Sequence, residues 1–363
     1  MARVLHILPA AASSETLQQL SLLLRNAKTR SGGDDHVVLS MERATLRRQM
    51  LTEKLTPDVW CGASSRFDLT IVPRLMGVFR RYSPDILHCW QDSAWSMVLT
   101  ANRLTLNRPV LANGFDAGRR WATERFLNLH RIVHFDAVKQ RLLNNGWPSD
   151  RVSQIPVGIE VGTEMPHSAN GQRSLRTQLG LPGNALIWGA IGDLSSTSHF
   201  EIAMWALDLL GVIRPEVHLV IFGRGSQLPK LRQFQDKLQR AEAIHFVDSW
   251  DDAMLAECEG VWNHGETSLP MLRAMAAELP VVAAECDASQ AVLEDATTGF
   301  IVPRHDPAEF ARKANLLLKD AAMAERIGKA ARRRVEDCFP ASAMIAGYET
   351  VYRQVHRQLP LVA

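Results

Sequence analysis

The residue types in this sequence that suit chemistry are few and spread along the chain. Arg224 stands between glycines in Phe222-Gly223-Arg224-Gly225, straight after an apolar run, and Arg273 lies in a helical stretch. A guanidinium in either place can grip a phosphate bidentately, or can simply be a solvated surface group. Trp250, within residues 246–252, offers a face for stacking on a base or packs half-buried. His88 ends an apolar run, where core packing and proton transfer are equally open to it. Residues 265–269 (Gly265, Glu266, Thr267, Ser268, Leu269) open a helical stretch. A helix N-terminus presents free N–H groups and partial positive charge to an anion. Metal and redox chemistry lack their residues. The histidines have no ligand spacing, the five cysteines (Cys61, Cys89, Cys258, Cys286, Cys338) have no CxxC pair, and no strand leads into GxGxxG. Unpaired scattered cysteines suit a reduced cytosolic compartment.

Positioning such groups needs a scaffold, and the hydrophobic pattern supplies one. Short apolar runs alternate with longer amphipathic stretches, the signature of βαβ units and parallel sheets. Strands are expected at residues 4–8, 36–39, 85–89, 110–112 and 132–134, with a first crossover helix at 16–28. A second set follows at 187–191, 218–222, 243–246, 260–263, 281–284 and 300–302. Between the sets, residues 161–175 turn loop-like, with Gly162, Pro166, His167, Ser168, Asn170 and Gly171. Phe339-Pro340 breaks the chain before a last amphipathic helix. The opening Met1-Ala2-Arg3-Val4-Leu5-His6 carries too little basic charge and too short an apolar run for a signal peptide, and reads as a strand. Two sets joined by one linker predict two doubly wound domains with a cleft between them, and ligands in such folds bind at the carboxyl ends of the strands.

The second half resembles the group 1, family-four retaining glycosyltransferases. Residues 268–283 (SLPMLRAMAAELPVVA) resemble the family's donor-site helix and following strand. Residues 292–303 (VLEDATTGFIVP) with Asp306-Pro307-Ala308-Glu309 resemble the next segment, and residues 327–335 (IGKAARRRV) with Phe339, Tyr348 and Tyr352 resemble its close. More loosely, residues 83–88 (SPDILH), 137–147 (AVKQRLLNNGW) and 151–160 (RVSQIPVGIE) are similar to first-domain motifs. The resemblance implies an α/β fold of GT-B type, with two Rossmann-like domains. It places an acceptor-side domain at residues 1–160, a linker at 161–175, a nucleotide-sugar domain at 176–340, and a closing helix at 341–363 that crosses back to the first. It further implies that the glycine-bearing loop and helix N-terminus receive the donor diphosphate. One glutamate then contacts the sugar, and a second, eight positions on, accepts from the ribose.

Several positions depart from that pattern. Counting back eight from Arg273, which stands for the second glutamate, reaches Gly265, so neither carboxylate is present. Glu266, one residue along, is the candidate replacement. The family's phosphate clamp appears as residues 192–199, where Gly192 is kept while Asp193 and Ser198 replace its arginine and lysine. An aspartate there repels a diphosphate, and Arg224 is the candidate compensating cation. In the first domain Ala10-Ala11-Ala12 replaces a glycine loop, and Asn113 replaces a histidine, so that position can bond a sugar but cannot shuttle a proton. The expected catalytic set is therefore Glu266, His88 and Asn113. The expected donor-binding set is Gly192, Arg224, Trp250, Gly265, Thr267, Ser268, Leu269 and Arg273. Trp262 and His264 are expected to flank the same edge.

The function implied is transfer of a hexose from a nucleotide sugar to a glycan, lipid or small-molecule acceptor, with no metal and no other cofactor. The alternative is a catalytically impaired homologue that binds a sugar nucleotide or a partner. An epimerase would need a set of cleft acids that cannot be assembled here. A formal charge of +2 over 363 residues gives no case for nucleic acid. Without an apolar run of about 20 residues the chain is expected in the cytoplasm, with peripheral contact at the inner membrane face left open.

Overall fold

A computed structural model describes residues 2–9, 12–29, 34–41, 50, 55–62, 70–91, 95–114, 129–162, 174–195, 198–248 and 250–357. Residues 163–173 of the expected linker, Ala10 and Ala11, Phe115 and Asp116, Ser196 and Thr197, Ser249, and residues 358–363 lie outside the described residues.

The chain divides into two compact units, Met1–Gly158 with Ala341–Ala363, and Ile159–Pro340. In the first unit, strands β1 (Arg3–Leu8), β2 (Asp35–Ser40), β3 (Val59–Trp60), β4 (Ile86–Cys89), β5 (Val110–Asn113), β6 (Leu129–Val133) and β7 (Val152–Gln154) form one sheet in the order β3-β2-β1-β4-β5-β6-β7. Every pairing is parallel. The opening segment is thus a central strand, because Val4, Leu5, Ile7 and Leu8 are all buried between β2 and β4. Continuous apolar runs fit this sheet because helices cover both faces of a parallel strand.

One of those covers comes from the far end of the sequence. After helix Ala321–Cys338, Pro340 breaks the ladder and helix Ala341–Arg357 begins. Its Ala341, Met344, Ile345, Tyr348, Val351, Tyr352 and Val355 recur at three- and four-residue spacing on one buried face. That face joins Val4, Leu8, Ile86, Trp90 and Leu111 in the core of the first unit.

In the second unit, β8 (Leu186–Ile191), β9 (Val217–Phe222), β10 (Ile244–Val247), β11 (Gly260–Asn263), β12 (Val281–Ala284) and β13 (Phe300–Val302) form a parallel sheet in the order β10-β9-β8-β11-β12-β13. Its core includes Trp188 packed at a tilt against Trp262, at a ring separation of 5.4 Å, with Phe300 and Phe310. Both sheets reverse strand order once, between β1 and β4 and between β8 and β11. In doubly wound sheets ligands bind at that reversal, beyond the carboxyl ends of the strands. No helix among the described residues is long and apolar enough to cross a membrane.

Candidate functional site

In the second unit the reversal is bordered by the loop after β8, which starts at Gly192, and the loop after β11, which runs from His264 to Ser268. The first loop is laced to the loop after β9. Gly192 N donates to Phe222 O (3.0 Å), Leu194 N to Arg224 O (2.7 Å), and Gln227 N to Leu194 O (3.0 Å). The approach is so close that a Cβ on Gly223 would stand 1.9 Å from the Gly192 carbonyl oxygen. Backbone this tight accepts only glycine. Gly223→Ala is therefore expected to destabilise the second unit by about 2–4 kcal/mol, a range typical of forced backbone clashes. Urea unfolding read in the second unit checks it, and a parental midpoint would show that the loops yield freely.

Ser198, at the position of the family's lysine, closes its own loop. Its hydroxyl donates to Asp193 O (2.6 Å) and pairs with the Ser195 hydroxyl (2.8 Å). Arg224 lies exposed after β9, so its guanidinium is presented to solvent at the carboxyl end of the sheet.

On the other side of the reversal, helix Leu269–Ala276 starts at the buried residues Ser268 and Leu269, and Ser268 O accepts the Leu272 N–H (3.0 Å). Thr267 is half-buried, and the space above Gly265 is open: a Cβ there meets only Thr267 Oγ1, at 3.8 Å. Glu266 is exposed and bound by a residue that the sequence reading passed over. Arg304 Nη1 donates to Glu266 Oε1 (2.8 Å), and Arg304 Nε donates to the Glu285 carbonyl (2.6 Å). Arg304 follows β13, as Glu266 follows β11 and Glu285 follows β12, so one guanidinium ties the ends of three neighbouring strands. Its place just beyond the TGFIVP stretch was the available signal.

Other expected residues have partners within the unit or are buried. Arg273, expected at a phosphate, donates from Nη1 to Asp252 Oδ1 (2.9 Å), and its guanidinium lies 5.4 Å from the centre of the Trp250 ring. Trp250, expected under a base, rests against Arg273 and, at 6.1 Å, Phe222. The reason is electrostatic: with Asp252 in reach, the arginine neutralises a carboxylate of its own unit. Trp262 is wholly buried rather than at an edge. His264 is buried too, its ring 4.5 Å from that of Phe310 and its Nε2 without a hydrogen-bond partner. Burial, helped by nearby His199, pushes its pKa down to about 3 and keeps it neutral.

His88 and Asn113, expected to touch substrate, are instead buried in a closed network. Asn113 Nδ2 donates to Tyr348 Oη (2.9 Å), which leaves Asn113 Oδ1 to accept from His88 Nε2 (2.9 Å) and His88 Nδ1 to accept from Tyr352 Oη (2.8 Å). Both tyrosines belong to helix Ala341–Arg357. Trp90 Nε1 donates to His6 Nδ1 (3.0 Å), so His6 Nε2 is the donor to His36 Nδ1 (2.9 Å). Burial pushes the His88 pKa down to about 3, so the ring is a fixed neutral link and exchanges no proton near neutrality. Among the described residues, no three His, Cys, Asp or Glu side chains gather as a metal would require.

Known proteins resemble this chain in sequence and in fold. Residues 187–320 match the family model described as glycosyl transferases group 1. D-inositol 3-phosphate glycosyltransferase of Streptomyces avermitilis is 29% identical over 231 residues, 57% of this chain and 48% of that protein. Phosphatidyl-myo-inositol mannosyltransferase of Mycobacterium leprae is 35% identical over 147 residues, 38% of each chain. The chain thus spans about half the length, or less, of these curated relatives. The Anabaena protein HepE, solved in complex with UDP-glucose, superposes with a TM-score of 0.81 at 17% identity, covering 97% of this chain and all of HepE. That likeness shows the shared fold, the GT-B type of two parallel α/β sheets.

Proposed function

We propose that this chain, whose residues 187–320 match the group 1 glycosyltransferase model, transfers a hexose from a nucleotide sugar to an acceptor in glycan or polysaccharide assembly. The observation that carries the reading is the reversal between β8 and β11. There an open glycine loop, a helix start and two exposed arginines, Arg224 and Arg304, border one sheet end. The positive end of helix Leu269–Ala276 would face the diphosphate. Glu266, steered by Arg304, would take the hexose hydroxyls.

In retaining transfer the bond between the sugar's anomeric carbon and the diphosphate breaks, and the electron pair leaves with the phosphate. The acceptor oxygen forms the new bond on the same face and passes its proton to the departing phosphate oxygen, where the negative charge grows. Negative charge grows on the diphosphate, so fixed cations there lower the barrier. Arg224 and Arg304 supply them in place of the absent clamp, while Arg273 stays with Asp252. His88 and Asn113 then hold the closing helix and do not meet the substrate. The donor is supplied in the cytoplasm, and the first unit takes the acceptor, a glycan, lipid or small molecule.

The test is calorimetric titration of the full chain with nucleoside diphosphates and nucleotide sugars, then a transfer assay with each binder. Gly265→Leu fills the open space with no backbone conflict, so the variant is expected to fold as the parent does and to lose about 100-fold or more in nucleotide affinity, about 3 kcal/mol. Unchanged affinity would remove the donor from this loop. Binding without turnover for any pair tried would leave a sugar-nucleotide-binding protein.

A further inference from the structure

We infer that the second unit pairs with a second copy of this chain through the outer face of helix Phe200–Gly211. Among the described residues seven large hydrophobic side chains are exposed, and five gather here: Trp205 (48% exposed), Leu209 (43%), Val212 (78%), Ile213 (60%) and, on the adjoining helix Pro307–Lys319, Leu316 (39%). Residues 205 and 209 lie one turn apart on one face of the first helix, and Val212 caps it. Arg214 Nε donates to Asn315 Oδ1 (3.3 Å), which ties the segment after the first helix to the adjoining helix. At the other border Trp205 lies 6.0 Å from Phe234 of helix Leu228–Gln235. Contiguous apolar surface of this kind marks an interaction site in a soluble protein, and a half-exposed tryptophan is a common interface anchor.

Charge selects the occupant. Helix Phe200–Gly211 carries only carboxylates, Glu201 and Asp208, while the adjoining helix carries Arg312, Lys313 and Lys319 against Glu309. A two-fold axis makes each patch meet its own copy. The acid-bearing helix of one copy can then lie against the base-bearing helix of the other. An anionic bilayer would instead meet Glu201 and Asp208 on the helix that presents Trp205 and Leu209.

Sedimentation velocity of the full chain between 1 and 100 µM, roughly the range that brackets weak and stable dimers, decides the matter. The parent is expected to sediment as a dimer, and Val212→Glu and Trp205→Glu to weaken it by about tenfold or more each, near 1.4 kcal/mol. Both side chains are about half or more exposed, so far-UV circular dichroism of each variant should match the parent and report a folded chain. Glu201→Lys alone should weaken the dimer, and adding Lys319→Glu should restore it. A parent monomeric throughout, variants that still dimerise, or flotation of a monomeric parent with phosphatidylserine vesicles would each overturn the inference.

Discussion

Lowering the pH from 7 to 5 is expected to remove about 4 kcal/mol of stability from the first unit, a large share of the ~5–15 kcal/mol that holds a domain folded. Two histidines set the figure. Burial pushes His88 down to about 3, and it pushes His130, whose Nε2 meets the Ser153 hydroxyl at 2.9 Å, down to about 4. In the unfolded chain each titrates near 6.5, so below that value the unfolded state binds the proton that the folded state refuses. The stabilisation is therefore whole above pH 6.5 and falls as pH drops toward the folded values. At about 1.4 kcal/mol per pH unit for each group, pH 5 costs roughly 2 kcal/mol apiece. His6, His134 and His36 are shifted down by burial as well and act in the same direction, although Asp34, Asp35 and Glu349 partly offset the shift at His36.

Amide exchange in β4 and β6 of the full chain, followed by mass spectrometry at pH 7, 6 and 5 and corrected for intrinsic rates, reads the loss in this unit. His130→Gln keeps a polar group near Ser153 and should lower the proton uptake on unfolding by about one. Protection independent of pH would mean that the histidines reach water and are not held neutral.

The network behind that acid response shows what a sequence conceals. Strand positions were legible, because a strand buried on both faces must be an apolar run, and β11, β12 and β13 sit where the runs end. The short strands β3 and β7, of two and three residues, have no run to announce them. Partnerships were not legible. His88 meets Tyr352 across 264 positions, Glu266 meets Arg304 across 38, and Arg273 meets Asp252 across 21. Each residue alone suited a ligand: a histidine at a strand end, a loop glutamate, an arginine on a helix. Only the fold reveals that His88 and Arg273 already have partners, while the Glu266 pair lies open at the sheet reversal.

Replacing that newly visible arginine is the most direct test of the transfer chemistry. Arg304→Ala is expected to cut kcat/KM by about 30- to 1000-fold, since a lost charge-assisted contact to the departing diphosphate costs about 2–4 kcal/mol of transition-state stabilisation. Stability should hardly change. The Arg304–Glu266 pair is half-exposed or more on both sides, and such surface pairs contribute about 0–1 kcal/mol. Arg304 can work in two ways, and a double-mutant comparison separates them. If the guanidinium only steers Glu266, Arg304→Ala added to Glu266→Ala costs nothing more. If it also faces the departing diphosphate, the double variant falls below Glu266→Ala, and Arg304→Lys recovers part of the loss by keeping the charge without the fork. Arg224→Ala should lower the rate independently, because it leaves from a different strand. Steady-state turnover within about twofold of the parent for the Arg304, Glu266 and Arg224 variants alike would place the chemistry elsewhere, since two lost cations in a working site cannot go unnoticed at these energies.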